Sequence, residues 1–317
     1  MNIILLGYNG FIGTHILNNL AQKLKNTHDF KVVCVGRKIK DKPFINKRIR
    51  YVKWNFRDFS KSHLFFFGKK NIIINCVGKN YNNLKNLREI NLEFVQKLID
   101  YIQKNKIAAR LIHLGSVSVY DVENKSLGKI KNIIENSRTK ASDVYSQSKL
   151  EADNFIQKSL KINNNNFSYT ILRIANVFSN TAYSNSFSLI SYLLNKGIWL
   201  KCSNNTNYHF IHAKDVALAV LYCISNLKIS KNKIYIVSDD NNQFQLHKIY
   251  AKSKNIKLFI IPISLKFLKL ITNYFFLPKK ISNFIFTISS EINYDNRKLK
   301  KELNFKTKYS LKDKLYN

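Results

Sequence analysis

Tyr145-Ser-Gln-Ser-Lys149 is the segment of this chain best suited to chemistry. On a helix, residues four apart share a face, one turn from each other. An ammonium so placed favours phenolate and lowers the phenol pKa. Tyr145 can then pass a proton to or from a hydroxyl near neutral pH. Tyr-x-x-x-Lys alone is a common spacing, and it gains weight from what stands upstream. There Leu111-Ile-His-Leu-Gly115-Ser116-Val-Ser118-Val-Tyr120 reads as a strand ending in a Gly/Ser turn. Such a turn puts Ser116 at the carboxyl edge of a sheet, where its hydroxyl can polarise a carbonyl beside the tyrosine.

These groups need elements to hold them, and the start of the chain supplies the first. A short apolar run at 3–6 is followed at once by Gly7, Gly10 and Gly13, and then by helical spacing in His15, Ile16, Leu17, Leu20 and Leu24. Glycines at such a turn let the backbone bend tightly and let a pyrophosphate approach. The helix N-terminus adds free N–H groups and partial positive charge. The strand–turn–helix context favours nucleotide binding over a turn whose glycines serve packing alone. The second strand ends Cys-Val-Gly36-Arg37-Lys38. An acidic residue there would bond the adenosine ribose and select NAD. This chain has none, and Arg37 and Lys38 can meet a 2′-phosphate instead. NADP is the expected cofactor and NAD the alternative, with both cations merely solvated as the bland reading.

Further strand signals fall at 31–35, 49–54, 71–77, 111–114 and 169–174, with a later, returning strand at 233–238. Most are continuous apolar runs, as suits strands covered on both faces. Helical patterns fall at 13–25, 87–103 and 144–160, and 163–166 reads as a loop. The alternation predicts an α/β fold, a doubly wound parallel sheet with ligands at the carboxyl ends of its strands. It becomes less regular after about residue 176, as expected if a smaller second domain is woven in.

The 317 residues can bury a substantial core in one large or two moderate domains. An apolar content of 45% argues against disorder. The net charge of +34 would suit nucleic acid or an anionic membrane. However, 44 of the 53 basic residues are Lys, spread along the whole chain, and Asn occurs 41 times. Lys, Asn, Ile, Phe and Tyr are residues of A/T-rich codons, so codon bias accounts for much of the charge. No basic cluster interleaved with aromatics marks a nucleic-acid surface. The cysteines at 34, 76, 202 and 223 form no C-x-x-C pair and read as buried free thiols. No metal site is expected, since His209 and His212 would face opposite sides of a strand. With no signal peptide evident and no apolar run of spanning length, a cytoplasmic location is expected.

Taken together, the motifs resemble the extended short-chain dehydrogenase/reductases of the NAD(P)-dependent epimerase/dehydratase family. The segments that match are Gly7-Tyr-Asn-Gly10-Phe-Ile-Gly13, Asn75-Cys-Val-Gly78, Asn91, Ser116 with Tyr120, and Tyr145-x-x-x-Lys149. Arg173-Ile-Ala-Asn176-Val-Phe, Phe210-Ile-His-Ala-Lys-Asp215-Val-Ala and Asp295…Glu302-Leu-Asn-Phe305 match as well. The resemblance implies a Rossmann-type domain over 1–175 with a returning segment near 209–240. A small, interwoven substrate-binding domain would take most of 176–317. It implies Ser116, Tyr145, Lys149 and Asn91 as the catalytic set, with Lys149 also on the nicotinamide ribose. Gly7, Asn9, Gly10, Phe11, Ile12, Gly13, Val77 and Gly78 would line the dinucleotide, with Arg37, Lys38 and Asn55 at its adenosine end. Ser116, Ser118, Asn176 and His209 would lie near a nucleotide-sugar substrate. Helices at 87–103 and 144–160 would form a homodimer seam.

Departures narrow the reaction. Asn55 stands where many relatives carry an adenine-contacting Asp. Val117 and Ser118 replace the Asp-Glu pair of nucleotide-sugar 4,6-dehydratases, which argues against dehydration. Ser179-Asn180 replaces a common Gly-Pro. The expected reaction is 4-keto reduction or 4-epimerisation of a nucleotide-diphosphate sugar, as in surface-polysaccharide precursor synthesis. A carbonyl or steroid-type reductase and a non-catalytic NADP-binding scaffold are the alternatives. One late stretch, 265–276, mixes Leu, Phe, Ile and Tyr with Lys266 and Lys269. It suits a helix packed on the substrate domain, a peripheral membrane contact or a partner contact.

Overall fold

The computed structural model describes residues 1–39, 42–56, 58–59, 70–79, 84–122, 131–162, 166–179, 185–274 and 277–309. Arg57, Asn180, most of the expected loop at 163–166, and Phe275 and Phe276 lie outside the described residues.

The apolar runs become strands of one sheet. In chain order they are β1 (Asn2–Leu6), β2 (Lys31–Gly36), β3 (Ile49–Lys53), β4 (Asn71–Asn75) and β5 (Ala109–Ser116). A short β6 (Lys131–Ile133) precedes β7 (Phe167–Ile174). The sheet is finished by β11 (Lys233–Val237), in the order β11-β7-β5-β4-β1-β2-β3. Every pairing in it is parallel. Alternate residues feed two cores. Ile3, Leu5 and Cys34 pack with Ile16 and Leu20 of α1 (Phe11–Asn26) and with Val216 and Val220 of α6 (Ala213–Ser225). Ile4, Leu6 and Val33 face the other way, against Val95 and Leu98 of α3 (Phe94–Lys104) and Ala152 of α4 (Val144–Lys158). Burial on both faces is why these strands read as unbroken apolar runs.

The sequence pattern at 87–103 is not one regular helix. It is α2 (Leu84–Arg88), a π-helical turn at Glu89–Glu93, and then α3. The wide turn holds Asn91, which is buried. Such single π turns recur at functional sites.

After β7 the chain leaves the main sheet. β8 (Asn176–Phe178), β10 (Asn207–His212) and β12 (Asp239–Asn242) form a three-stranded sheet. β9 (Ile198–Lys201) pairs with β13 (Phe259–Pro262), and β6 with β14 (Ile292–Tyr294). Around them lie α5 (Asn185–Asn195), α7 (Gln243–Lys254), α8 (Leu265–Tyr274) and α9 (Lys279–Ser289), with a third core centred on Trp199, Tyr208 and Phe210. The closing helix α10 (Arg297–Leu303) returns to the main sheet, where Glu302 accepts from Tyr235 and Lys233 of β11. The four cysteines are free, Cys34 and Cys223 buried and Cys76 and Cys202 half-buried. No helix among the described residues is long and apolar enough to cross a membrane.

Candidate active site

Strand order reverses between β1 and β4, and in such a sheet the carboxyl ends at that point form the ligand crevice. The glycine turn fills one side of it. Gly7 has a positive φ of 80° and donates its N–H to Val35, while Gly10 N–H donates to the Gly7 carbonyl. A Cβ on Gly7 would lie 3.2–3.3 Å from the backbone of Cys76 and Val77, and one on Gly13 would lie 2.2 Å from the Gly7 carbonyl oxygen. At Gly7 and Gly13 the turn therefore packs against the end of β4 and against α1 with no space for a side chain. Helix α1 opens at Gly10 with no side-chain cap and no acidic residue in its first turn. Its leading N–H groups thus meet no competing anion from the chain, which is how a helix N-terminus receives a pyrophosphate. This cradle fits a dinucleotide. Asn9 donates to the Lys38 carbonyl at 3.1 Å, tying the turn to the loop that carries Arg37 and Lys38, both exposed. Ile12 is half-buried, and Phe11 and Asn55 are exposed.

On the other side stands the Tyr/Lys helix. Asp143 caps α4, exchanging hydrogen bonds with Ser146 in a capping box. That fixes the register of the first turn. Lys149 is buried and donates from Nζ to the carbonyl of Leu114 at 3.0 Å. Tyr145 lies one turn earlier and is half-buried. Ser116 follows Leu114 by two residues, and its Oγ accepts from the N–H and the hydroxyl of Ser118, at 3.2 and 2.9 Å. With both of those protons spent on it, Ser116 keeps its own O–H to donate.

Asn91 links this helix to the loop after β4. It accepts from the Lys79 N–H and donates to the Lys79 carbonyl, each at 2.9 Å, and donates to Ser148 at 3.0 Å. Ser148 in turn donates to the Tyr145 carbonyl at 2.8 Å. Gly78 sits over the group, since a Cβ there would lie 3.3 Å from Lys149 Nζ and 3.4 Å from Asn91 Oδ1. Val77 donates its N–H to Asn75 Oδ1 at 3.0 Å. Gly78, Asn91 and Lys149 are thus brought together, with Tyr145 and Ser116 joined to them through short stretches of backbone.

Burial brings the Lys149 amine down to about 8, with Asp153 and Cys76 acting in the opposite direction. Asp153 lies one turn beyond Lys149 on α4, fully buried. Burial raises its pKa, and Arg173, paired with it at 2.9 Å, restrains that rise. His113 on β5 is held well below its ordinary value by burial and then by Lys149, so it is neutral beneath the site. Its Nδ1 meets the Asn75 amide at 3.2 Å. The sequence alone points to no role for Asp153 or His113, and Arg173 enters only as part of a motif. The available signals were a charged residue inside the apolar strand at 167–174 and an Asp four residues after Lys149.

Two of the expected substrate contacts are placed differently from each other. Asn176 is exposed at the start of β8. His209 is buried in β10, bonded to Ser290 at 2.8 Å with its ring edge-on to Tyr294. His212 lies on the opposite face of the strand and caps α6 through the Lys214 N–H. Among the described residues, no group of three or more His, Cys, Asp or Glu could hold a metal ion.

A parallel sheet with this strand order and a glycine turn at its reversal point defines a dinucleotide-binding α/β protein. The sequence profile of the NAD dependent epimerase/dehydratase family matches residues 3–238, and the chain belongs to that family. Solved structures share the fold. A UDP-glucuronic acid 4-epimerase from Bacillus cereus, in complex with NAD, superposes with a TM-score of 0.70 at 16% identity, covering 100% of this chain and 94% of that one. A dTDP-glucose 4,6-dehydratase from Bacillus anthracis, also with NAD, gives 0.69 at 15% identity over 100% and 94%. A UDP-glucose 4-epimerase from Thermotoga maritima, with UDP-glucose, gives 0.68 at 15% identity over 100% and 96%. No curated protein matches by sequence.

Proposed function

We propose that the protein is an NADP-dependent enzyme acting at C4 of a nucleotide-diphosphate sugar, as a 4-keto reductase. The observation that carries this reading is the bond from Lys149 to the Leu114 carbonyl. It fixes a buried cation one helical turn from Tyr145 and two residues from Ser116. Gly7, Gly10, Gly13 and the start of α1 would hold the pyrophosphate, Arg37 and Lys38 the 2′-phosphate, and Lys149 the nicotinamide ribose. When bound, the nicotinamide supplies the hydride. Ser116 donates a hydrogen bond to the C4 oxygen, and Tyr145 gives that oxygen its proton. Lys149 lowers the cost of the phenolate left behind. Asn91 and Ser148 hold the first turn of α4 in place. Ser118 orients the Ser116 hydroxyl, and Asn176 faces the sugar nucleotide from the second sheet. With Val117 and Ser118 where dehydratases carry an Asp-Glu pair, elimination of water would lack that acid pair.

The NAD-bound 4-epimerases among the structural neighbours favour a second reading, 4-epimerisation. There the same residues take the proton from the C4 hydroxyl and return it. Identifying any dinucleotide that co-purifies, then titrating NADPH and NADH against the stripped protein, separates the two. An empty site that prefers NADPH supports the reductase. Tightly retained NAD supports the epimerase and removes the role given to Arg37 and Lys38. In either case Tyr145→Phe should lower turnover at least ~10²-fold, the usual scale of acid–base catalysis. Near-normal turnover in that variant would sink the mechanism.

A further inference from the structure

The second half of the molecule carries an apolar face that its own core does not use. Along α8, Phe267, Leu270 and Tyr274 stand at i, i+3 and i+7, which makes one stripe, and they are 56%, 53% and 79% exposed. A different stripe attaches the helix to the protein through Leu268, which is buried. Strand β13 precedes α8 by only two residues, and all four of its side chains are exposed, Phe259 by 70%. Beyond α8, Ile281 of α9 is exposed as well. Scattered surface hydrophobics need no explanation. A strand and a helix joined in sequence, both turning Phe, Ile, Leu and Tyr outward, mark an interaction site.

Charge identifies the occupant. Residues 241–290 contain eight lysines and no Asp, Glu or Arg. Lys254, at the end of α7, and Lys266, on α8 itself, are exposed. A second copy of this chain would bring like charge against like. An extended anionic layer complements the face, because lysine stems lie along apolar surface while their ammonium groups reach headgroups. The alternation of large apolar and Lys residues on a helix is the composition of an element that lies in a bilayer interface. We propose that β13 and α8 form a docking surface for an anionic lipid bilayer, which holds the enzyme at a membrane surface. The proposal is independent of the reaction assigned above.

The test is flotation of the full chain with vesicles of phosphatidylcholine, with and without phosphatidylglycerol. The chain should float with the phosphatidylglycerol vesicles at low salt, stay behind with phosphatidylcholine alone, and be released at high salt. The double variant Phe267→Ser/Leu270→Ser, and separately Phe259→Ser, should bind at least ~10-fold more weakly, given the apolar area each removes. Both sites are exposed, and unchanged dinucleotide binding verifies that the variants are folded. Failure to float on phosphatidylglycerol at low salt would overturn the proposal and leave the face to a protein partner or a second copy. Equal binding by wild type and variants would also overturn it, since charge alone would then account for the attraction.

Discussion

The proposed mechanism gives Lys149 two jobs that both need its charge, and burial works against that charge. Its ordinary value of 10.5 falls to about 8 in the folded protein. If the ammonium favours the Tyr145 phenolate and holds the ribose as proposed, kcat/KM should fall as pH rises through about 8. A profile still flat a unit or more above that point would contradict the assignment. The linkage to stability has the opposite sense. Below about 8 the amine is protonated whether the chain is folded or not, and the cost of burying it is fully present. Between about 8 and 10.5 the unfolded chain binds more protons, so this group's contribution to stability rises with pH. Asp153 and Arg173 form the second buried charge system. Asp153→Asn leaves the Arg173 guanidinium buried with its carboxylate gone, and should destabilise by about 3–5 kcal/mol in urea titration. Tyr145 and Lys149 were legible in the sequence because their relation is local, one turn of helix. The pairing of Asp153 with Arg173 was not, because it joins α4 to β7, and only the packing of helix on sheet brings the two within reach.

At the level of elements, the main sheet was legible and the connections were less so. The runs at 3–6, 31–35, 49–54, 71–77, 111–114, 169–174 and 233–238 each fall on a strand of the seven, because burial on both faces leaves a continuous apolar signal. Strands β6, β8 and β14 have three residues each and carry no period of their own; their partners lie far along the chain. The π turn at Glu89–Glu93 was invisible for a related reason, since one widened turn barely disturbs a helical pattern. The glycine turn offers the sharpest element-scale test. Gly13→Ala would place a methyl 2.2 Å from the Gly7 carbonyl oxygen, whereas at Gly10 the nearest atom is 3.2 Å away. Backbone cannot yield as a side chain would, so Gly13→Ala should cost about 1–3 kcal/mol by thermal denaturation and weaken dinucleotide binding. Gly10→Ala should cost less stability than Gly13→Ala.

The whole molecule carries +34, and the proposed cofactor and sugar nucleotide are both anions. A field of this size steers such ligands, and salt screens it over about 10 Å at 0.1 M. The association rate of NADPH in stopped flow should therefore fall about 10-fold or more between low and high salt. A salt-independent rate would mean that the lysines are arranged too evenly to focus the field on the crevice. The strand order also has a consequence for how the chain is made. β7 lies inside the finished sheet only because β11 covers its outer edge, and β11 is synthesised roughly 60 residues later, after the second sheet has begun. At roughly 5–20 residues per second, the ribosome leaves β7 as an open edge for about 3–12 s. During translation that edge can recruit the wrong strand from another nascent chain. The yield of folded protein therefore depends on the pace at which residues 175–237 emerge.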